Sequence, residues 1–318
     1  MSGDATSSTG GTPVAPQTAP QGVPGAKDRP HKKSLLVMIA TERQLLLIVL
    51  IIALVLGMAI LEPDTFPRPA NAAVVLLDTA QTGILACGMM VLMISGMFDL
   101  SIGGILAFSG IMAALTAKYL GFPPVPAFLV GCVWGVFLGA INGVLVTRFK
   151  INALIATLAT LSIYRGGLQL VSGAGVTNIG NDFTVFGQTK LLGIYSPFWF
   201  MVVIVLLFAF LVGRTRYFRQ AYYIGGNARA AKLSGINVDR TVFSFFLIMG
   251  FLSGLAGALL ASRLNTAVVL AGQGVELKVI TAVVLGGASL AGGVGSIFGA
   301  FLGVLFMALL QNAMIIAH

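Results

Sequence analysis

Charged residues are scarce in this 318-residue sequence, because they make up 9% of it whereas hydrophobic residues make up 57%. A soluble domain carries about 25% charged and about 45–50% apolar residues, so the composition excludes an ordinary soluble fold. Apolar runs of about 18 residues or more are typical of membrane-spanning helices. Residues 44–61 form such a run, and residues 198–212 and 241–262 are further apolar segments. The sequence therefore predicts an all-α, polytopic membrane helix bundle.

Cysteine and histidine are also rare, with two of each in the chain. Cys87 and Cys132 lie in apolar segments and form no CxxC pair, which excludes a disulfide framework and a cysteine metal site. His31 and His318 lie near opposite ends, so no catalytic histidine cluster is expected. A phosphate-binding GxxxxGK[ST] loop, a GxSxG elbow and an HExxH motif are absent as well. We therefore expect no enzyme, no cofactor and no metal site.

The net charge of +9 comes from basic residues that cluster between the apolar segments. Such clusters mark the cytoplasmic loops of membrane proteins, so we interpret them as orientation signals and not as a nucleic-acid surface. Residues 1–33 are rich in Ser, Thr, Gly, Pro and Ala, which predicts a disordered cytoplasmic N-terminal tail that we extend to residue 43. The first apolar segment is too long for a signal peptide and predicts an uncleaved span. Residues 44–318 then form one transmembrane domain in contact with lipid.

The loops alternate in charge in a way that predicts about nine to ten spans, with the N-terminus in the cytoplasm. Residues 172–196 are polar and glycine-rich, which predicts an external loop. Residues 214–240 carry six basic residues against one acid and are therefore expected to form a cytoplasmic loop. After the first span, the predicted spans are 72–95, 102–118, one that ends at 146, 153–170, one that ends at 214, 241–262, 277–291 and 295–316.

Two glycine-rich segments resemble each other. GVFLGAINGVL, residues 135–145, and GSIFGAFLGVL, residues 295–305, both carry glycine at every fourth position. In the predicted topology the first runs inward and the second outward, which indicates an inverted internal repeat, a recurring plan of transporters. Chance similarity is the alternative, because glycine patterns are common where helices pack closely in lipid. Gly250, Gly254 and Gly257 predict another close helix contact.

One carboxylate, Asp99, lies inside a long apolar stretch. An unpaired carboxylate at membrane depth costs about 2.5–3.5 kcal/mol, so its environment must compensate it. Asp99 and Ser101, followed by a glycine pair, predict an interrupted helix in which Asp99 caps the third span. The alternative is a polar point on a translocation path or its gate. Asn142, Asn152 and Gln169 are further candidates for that path, although interhelical hydrogen bonds explain them equally well.

Acidic residues within the spans are few, which argues against a carrier coupled to protons or ions and directs attention to an energy source on another chain. YYIGGNARAAKLSGINVDR, residues 222–240, has a more defined pattern than a solvated loop needs. A glycine pair predicts a chain break, Asn227 caps a short basic helix, and Gly235 ends it. The pattern predicts a docking helix for a cytoplasmic partner. The residues assigned to this contact are Gly225, Gly226, Asn227, Arg229, Lys232 and Gly235.

Three motifs in this order resemble the permease subunits of ribose-, xylose- and arabinose-type ABC importers. They are GMFDLSIGGILAFSG, YYIGGNARAAKLSGINVDR and VVLGGASLAGGVGSIFGAFLGVL, and the resemblance extends from about residue 45 to residue 311. It implies an import pore for a monosaccharide or related polyol in the bacterial inner membrane. The implied partners are a second permease subunit, identical or different, two copies of an ABC ATPase domain and a periplasmic sugar-binding protein.

The resemblance also implies roles for particular segments. Residues 225–235 would be the coupling segment that enters the ATPase, Asp99 and Ser101 would lie beside the pore-lining second and third spans, and the 172–196 loop would face the binding protein. Ala228 stands where many members carry glutamate, which weakens one expected contact to the ATPase.

Two further departures concern Met97 and Phe98, which stand where members often carry a glycine pair and isoleucine, and the C-terminus. Most members continue past LLQNAM with another apolar segment, so the ten-span plan of the family predicts one span more than we count here.

The alternative function is a stand-alone secondary carrier or facilitator for a small polar solute.

Overall fold

The computed structural model describes residues 43–317, so residues 1–42 of the predicted tail and both histidines lie outside the described residues. The helices are α1 (Arg43–Leu61), α2 (Pro69–Ile94), α3 (Ile102–Lys118), α4 (Pro124–Thr147), α5 (Ala153–Ser172), α6 (Val185–Gln188), α7 (Ser196–Arg214), α8 (Arg216–Gly226), α9 (Ala228–Leu233), α10 (Val238–Leu264), α11 (Val275–Leu285) and α12 (Ile297–Ile316). A 3-10 turn covers Asn181–Thr184, and the strands are β1 (Gly175–Thr177), β2 (Lys190–Leu191), β3 (Ile194–Tyr195) and β4 (Thr266–Val268). The strands form two small antiparallel pairs, β1 with β4 and β2 with β3.

Seven of the described helices are long and apolar enough to cross a membrane: α1, α2, α4, α5, α7, α10 and α12. α3 is apolar too, but it has only 17 residues. α11 has 11 residues, a length of about 16 Å, which is roughly half of a bilayer core. The prediction of a polytopic all-α membrane protein is therefore confirmed. The count of nine to ten spans and the inverted repeat stay predictions.

The short α11 differs from the predicted span 277–291 at both ends. Gly274, with φ of +75°, precedes the helix, and Gly287, with φ of +102°, lies just beyond it. Residues with positive φ do not continue a right-handed helix, and glycine adopts this conformation without steric cost. The chain therefore enters and leaves α11 through two sharp turns.

Glycines bring helices into backbone contact at the places that the sequence predicted. Gly135 of α4 faces Gly250 and Gly254 of α10 so closely that a β-carbon would meet backbone atoms. Gly303 of α12 lies in the same way against the backbone of Ala282 in α11. Helix association in lipid depends on close packing because little hydrophobic force acts between apolar helices there. α2 and α10 are the most buried of the seven spanning helices.

Contacts between helix ends define two sides of the bundle. Gln44 donates a hydrogen bond of 2.9 Å to the Ser296 hydroxyl, which places the start of α1 beside the start of α12. Asn71, at the start of α2, exchanges two amide hydrogen bonds of 3.0 and 2.6 Å with Asn312, near the end of α12. The side with the start of α12 also holds the ends of α2 and α8 and is called here the basic side. Basic residues there include Arg148, Lys150, Arg214, Arg216, Arg219, Arg229, Lys232 and Arg240.

Candidate functional site

The chain between α2 and α3 carries a buried polar cluster. The Asp99 carboxylate accepts hydrogen bonds from the backbone amide of Ser101 at 2.9 Å and from its hydroxyl at 2.6 Å. The Asn142 side-chain amide, from α4, donates to the Ser101 hydroxyl at 2.7 Å and lies 3.5 Å from both carboxylate oxygens. All three residues are fully buried. The structure thus brings together three of the five residues predicted for the translocation path or gate.

Two residues of α5 extend this network. The Tyr164 hydroxyl lies 3.2 Å from the Asn142 side-chain oxygen and donates to the Leu138 carbonyl at 2.9 Å. The Thr157 hydroxyl accepts the backbone amide of Leu100 at 3.0 Å. Thr157 lies one helical turn after the start of α5. The break between α2 and α3 therefore lies about one turn inside the bundle, measured from that end of α5. The polar groups of Asp99 and Ser101 therefore find protein partners where water is absent.

The break has a defined backbone geometry. Gly96 has a φ of +77°, and its amide donates to the Met93 carbonyl while the Met97 amide donates to the Leu92 carbonyl. This pair of bonds is the Schellman motif that ends helices with a left-handed residue. Asp99 then bonds the amide of Ser101, the residue that immediately precedes α3. The carboxylate therefore stabilises the start of α3 through its N-cap residue and not through an amide of the first turn.

Asn152 and Gln169 lie away from this cluster. Asn152 is exposed on the basic side, where it caps α5 by accepting the amide of Leu154 at 2.9 Å. Gln169 is exposed near the other end of α5. The 17 residues that separate them correspond to about 26 Å of helix, so the two side chains cannot share one site.

The basic segment after α8 has the predicted local structure. Asn227 accepts the amides of Arg229 at 3.1 Å and Ala230 at 3.0 Å, and Gly235 follows α9 with a φ of +85°. Arg229 and Lys232 are both exposed, as predicted for a docking helix.

An exposed leucine adds an apolar point to this basic segment. Ala231 is the one buried residue among those of α9, whereas the neighbouring Leu233 is 90% exposed. A leucine that exposed contributes nothing to the packing of this chain, so it is available to a partner.

A groove of about 640 Å³ lies beside α9 on the basic side. One wall is formed by Lys150 and Asp239, whose side chains pair at 2.5 Å. Its lining residues are Lys150, Ala228, Arg229, Lys232, Gly235, Ile236, Asn237, Val238 and Asp239.

The predicted chain break at Gly225 and Gly226 is wrong. Both residues lie within α8, and the chain changes direction only at Asn227, with φ of −160° and ψ of 100°. Glycine is required at position 225 for a different reason, because a β-carbon there would collide with the Ile94 carbonyl oxygen and come 2.5 Å from the Gly293 amide nitrogen. The end of α8, which leads into the segment 225–235, is therefore in backbone contact with the end of α2.

The sequence interpretation noted Asp78 as an acid within a span but missed Lys278 and Arg165, two further charged residues inside the bundle. Lys278 of α11 binds both carboxylate oxygens of Asp78 in α2, at 2.6 and 2.7 Å. Arg165 of α5 donates to the carbonyls of Val269 and Ala271, which lie in the linker before α11, at 2.5 and 2.8 Å. The sequence did contain a signal for these residues. A charged residue within an apolar span is costly in lipid and rarely faces it, so its position alone predicts a partner inside the protein. Among residues 43–317, no three His, Cys, Asp or Glu side chains converge on a possible metal site.

Comparisons with known proteins identify the family. Residues 71–318 match the family described as branched-chain amino acid transport system / permease component. The chain is 42% identical over 266 residues to the ribose import permease protein RbsC of Bacillus subtilis, which covers 82% of this chain and 81% of that protein. It is 38% identical over 255 residues to the L-arabinose ABC transporter permease protein AraH of Azospirillum brasilense, covering 79% and 74% of the two chains.

RbsC of Escherichia coli strain K12 is 34% identical over 280 residues, which is 86% of this chain and 85% of that protein. No solved structure is significantly similar to the chain. The seven spanning helices agree with a multi-pass protein of the bacterial inner membrane. Proteins of this kind are transport subunits and not enzymes. The chain belongs to the permease components of ABC sugar importers, the subunits that form the membrane pore.

Proposed function

We propose that this chain imports a pentose, as one of two permease subunits that together enclose the translocation path. The relatives support this substrate class most directly, because ribose or L-arabinose stands in the names of proteins that match three quarters or more of the chain. The family description names branched-chain amino acids, but the curated relatives above transport sugars. An importer of this family works with a separate ATPase and a periplasmic binding protein.

The basic side is the cytoplasmic side in this proposal, and the N-terminus lies there too. Eight of the fifteen lysines and arginines among residues 43–317 lie on this side, namely Arg148, Lys150 and the six basic residues of 214–240, in agreement with the positive-inside rule. α3 and the half-length α11 would complete nine membrane segments. The residues 172–196, which contain β1 and the β2–β3 pair, would then face the binding protein.

α9 and the groove beside it receive the ATPase in this proposal. α9 packs through Ala231, but its Leu233 side chain is almost fully exposed and has no packing role in this chain, which supports a docking function. Arg229 and Lys232 give the surface a positive charge that favours an acidic cleft in the partner. Gly225, Gly226, Asn227 and Gly235 give α9 its position and length.

Nucleotide-driven movement of α9 would reach the membrane through α8. Gly225 contacts Ile94, and the chain runs from Ile94 through the break to Asp99. We assign Asp99, Ser101 and Asn142 to a gate at the cytoplasmic end of the path, where their hydrogen bonds join the start of α3 to α4. Being fully buried, they control the position of α3 and do not bind sugar in this conformation.

Reconstitution tests the proposal. The permease is placed in proteoliposomes with its ATPase and binding protein, and uptake of labelled D-ribose and L-arabinose is measured with ATP on the ATPase side. We expect accumulation only with all three components, and none with an ATPase that cannot hydrolyse ATP. Equilibration or accumulation of either sugar by the permease alone would instead identify a facilitator or secondary carrier.

A further inference from the structure

The junction of α7 and α8 carries three arginines close together on the basic side. Arg214 is the last residue of α7, only Thr215 separates the two helices, and Arg216 and Arg219 belong to α8. Arg216 and Arg219 are three residues apart, which places their β-carbons about 5–6 Å from each other on one face of the helix. All three arginine side chains are exposed. They form a surface that is called here the arginine patch.

The arginine patch has no counter-ion in the described part of the chain. None of its guanidinium groups belongs to an ion pair among residues 43–317. Asp239 is the one exposed acid on the basic side among these residues, and it already pairs with Lys150. Like charges that lie this close repel each other unless an anion comes between them. The patch is therefore complementary to a negatively charged group from outside the chain.

Arg214 continues the exposed apolar face of α7. Val203, Leu207 and Phe210 are 62%, 46% and 61% exposed. They lie 11, seven and four residues before Arg214, so the four side chains share one face of the helix. α7 is also one of the two most apolar spanning helices, which is typical of a helix that contacts lipid chains. Because this helix ends at Arg214, the guanidinium group lies at the level of the lipid headgroups.

α8 has the pattern of a helix that lies at a membrane surface. Phe218 and Ala221 are buried against the bundle, whereas Arg216, Arg219 and Tyr223 are exposed on the opposite side. Arginine and tyrosine are suited to the boundary between membrane and water, because their apolar parts contact lipid while their polar ends reach the headgroups. An amphipathic helix with this arrangement is typical of the membrane interface.

The ATPase is the alternative partner for these arginines, because α9 follows α8 directly. None of the three arginines, however, lines the groove beside α9. The chain changes direction at Asn227, so α8 and α9 present different surfaces. Together with the position of Arg214 on the apolar face of α7, this arrangement favours lipid over the ATPase.

We infer that the arginine patch binds the headgroup of an anionic phospholipid in the cytoplasmic leaflet. Guanidinium groups bind phosphate oxygens through charge-assisted hydrogen bonds that are often paired, which suits them to a phosphodiester. The acyl chains of the same lipid lie along Leu207 and Phe210 of α7. The assignment rests on the proposed orientation, with the basic side in the cytoplasm, and does not depend on the transported sugar.

Lipid binding to the purified full-length permease tests the inference. The permease in detergent is titrated with phosphatidylglycerol and, separately, with phosphatidylcholine that has the same acyl chains, and bound lipid is measured by native mass spectrometry. The patch variant combines Arg214→Gln, Arg216→Gln and Arg219→Gln. We expect the wild type to prefer phosphatidylglycerol. Its Kd should rise about fivefold for each arginine removed and about a hundredfold in the patch variant, which is the usual contribution of basic residues near an anionic surface.

The matched control combines Arg229→Gln, Lys232→Gln and Arg240→Gln, which removes the same charge from the same side. This control should bind phosphatidylglycerol as the wild type does. Equal affinity of the wild type and the patch variant for phosphatidylglycerol would overturn the inference, and so would an equal loss in the control. Weaker ATPase binding by a patch variant that keeps its lipid would assign the arginines to the ATPase instead.

A competition experiment separates a lipid site from a site for soluble phosphate. Glycerol 3-phosphate carries the phosphate without acyl chains and should not displace phosphatidylglycerol at equal concentration. Displacement would overturn the inference. If the patch variant does not fold, Arg216→Gln and Arg219→Gln are measured singly against Arg240→Gln by the same titration. Since no transport is measured, a negative result would leave the proposed function unaffected, and absence of sugar uptake by the wild-type importer would leave the lipid result unaffected.

Discussion

The backbone of Gly225 packs directly against the carbonyl oxygen of Ile94, so closely that any side chain at position 225 would overlap that oxygen. The same carbonyl accepts the amide of Gly293 at 2.8 Å. The ends of α8 and α2 and the loop before α12 therefore meet at one carbonyl group. Because α8 leads to α9 and Ile94 leads to the Asp99 cluster, a displacement of α9 would have a short route to the gate that we propose at Asp99.

Gly225→Ala should damage this junction. The added methyl has no space and must displace backbone, and overpacking of this kind costs about 1–3 kcal/mol. We expect a lower melting temperature and loss of ATP-dependent uptake. Gly226→Ala is the matched control, because a β-carbon there has no atom within 4 Å. Equal behaviour of the two variants would contradict the role assigned to the Gly225 contact.

Charge reversal on α9 should uncouple the ATPase from transport. Arg229→Glu or Lys232→Glu alters exposed side chains, so expression and thermal stability should remain near those of the wild type. We expect uptake to fall at least tenfold while ATP hydrolysis continues. Arg214→Glu, at the end of α7 and outside the groove, should retain uptake. Normal transport by both α9 variants would remove the coupling assignment.

Leu233→Ala should weaken binding of the ATPase without weakening the fold. Burial of a leucine side chain in an interface contributes about 1.5–3 kcal/mol, which corresponds to at least a tenfold increase in Kd. Leu192, also highly exposed but in the loop on the opposite side, provides the control Leu192→Ala. The measurement is ATPase affinity for the permease in detergent or nanodiscs. An unchanged Kd for Leu233→Ala would place the docking surface elsewhere.

Asp99→Asn separates capping from gating. Asparagine still accepts the Ser101 amide, so α3 should begin at the same place and the protein should fold. Removal of the charge weakens the bonds with the Ser101 hydroxyl and Asn142, so we expect uptake to fall about tenfold at unchanged melting temperature. Full uptake by this variant would show that Asp99 serves as a cap alone.

Local signals in the sequence predicted the local parts of the site. Asn227 and Gly235 act within three residues of themselves, and Asp99 bonds an amide two residues away, so residue type and spacing sufficed. The contact of Asp99 with Asn142, on another helix, could not be predicted in this way. Asn142 was a candidate for its polarity alone, and its contact over 43 residues depends on how α3 and α4 pack.

The structural role of glycine was the hardest to predict from the sequence. The pair at 225 and 226 was interpreted as a chain break. Gly225 is helical instead, and glycine is required there because the backbone packs closely against Ile94, more than a hundred positions away. Glycine permits both a turn and close packing, and only the tertiary structure distinguishes them. Arg165 was missed for a related reason, because the linker before α11 that it binds has no local signature in the sequence.

The paired amides of Asn71 and Asn312 have a mechanical consequence for α2. They tie the start of α2 to α12, whereas the other end of α2, at Ile94 on the basic side, is contacted by α8. A rod anchored at one end and pushed at the other tilts about its anchor, and its free end moves farthest. We therefore expect α2 to tilt about its end at Asn71, so that the largest displacement occurs at its other end, next to Asp99.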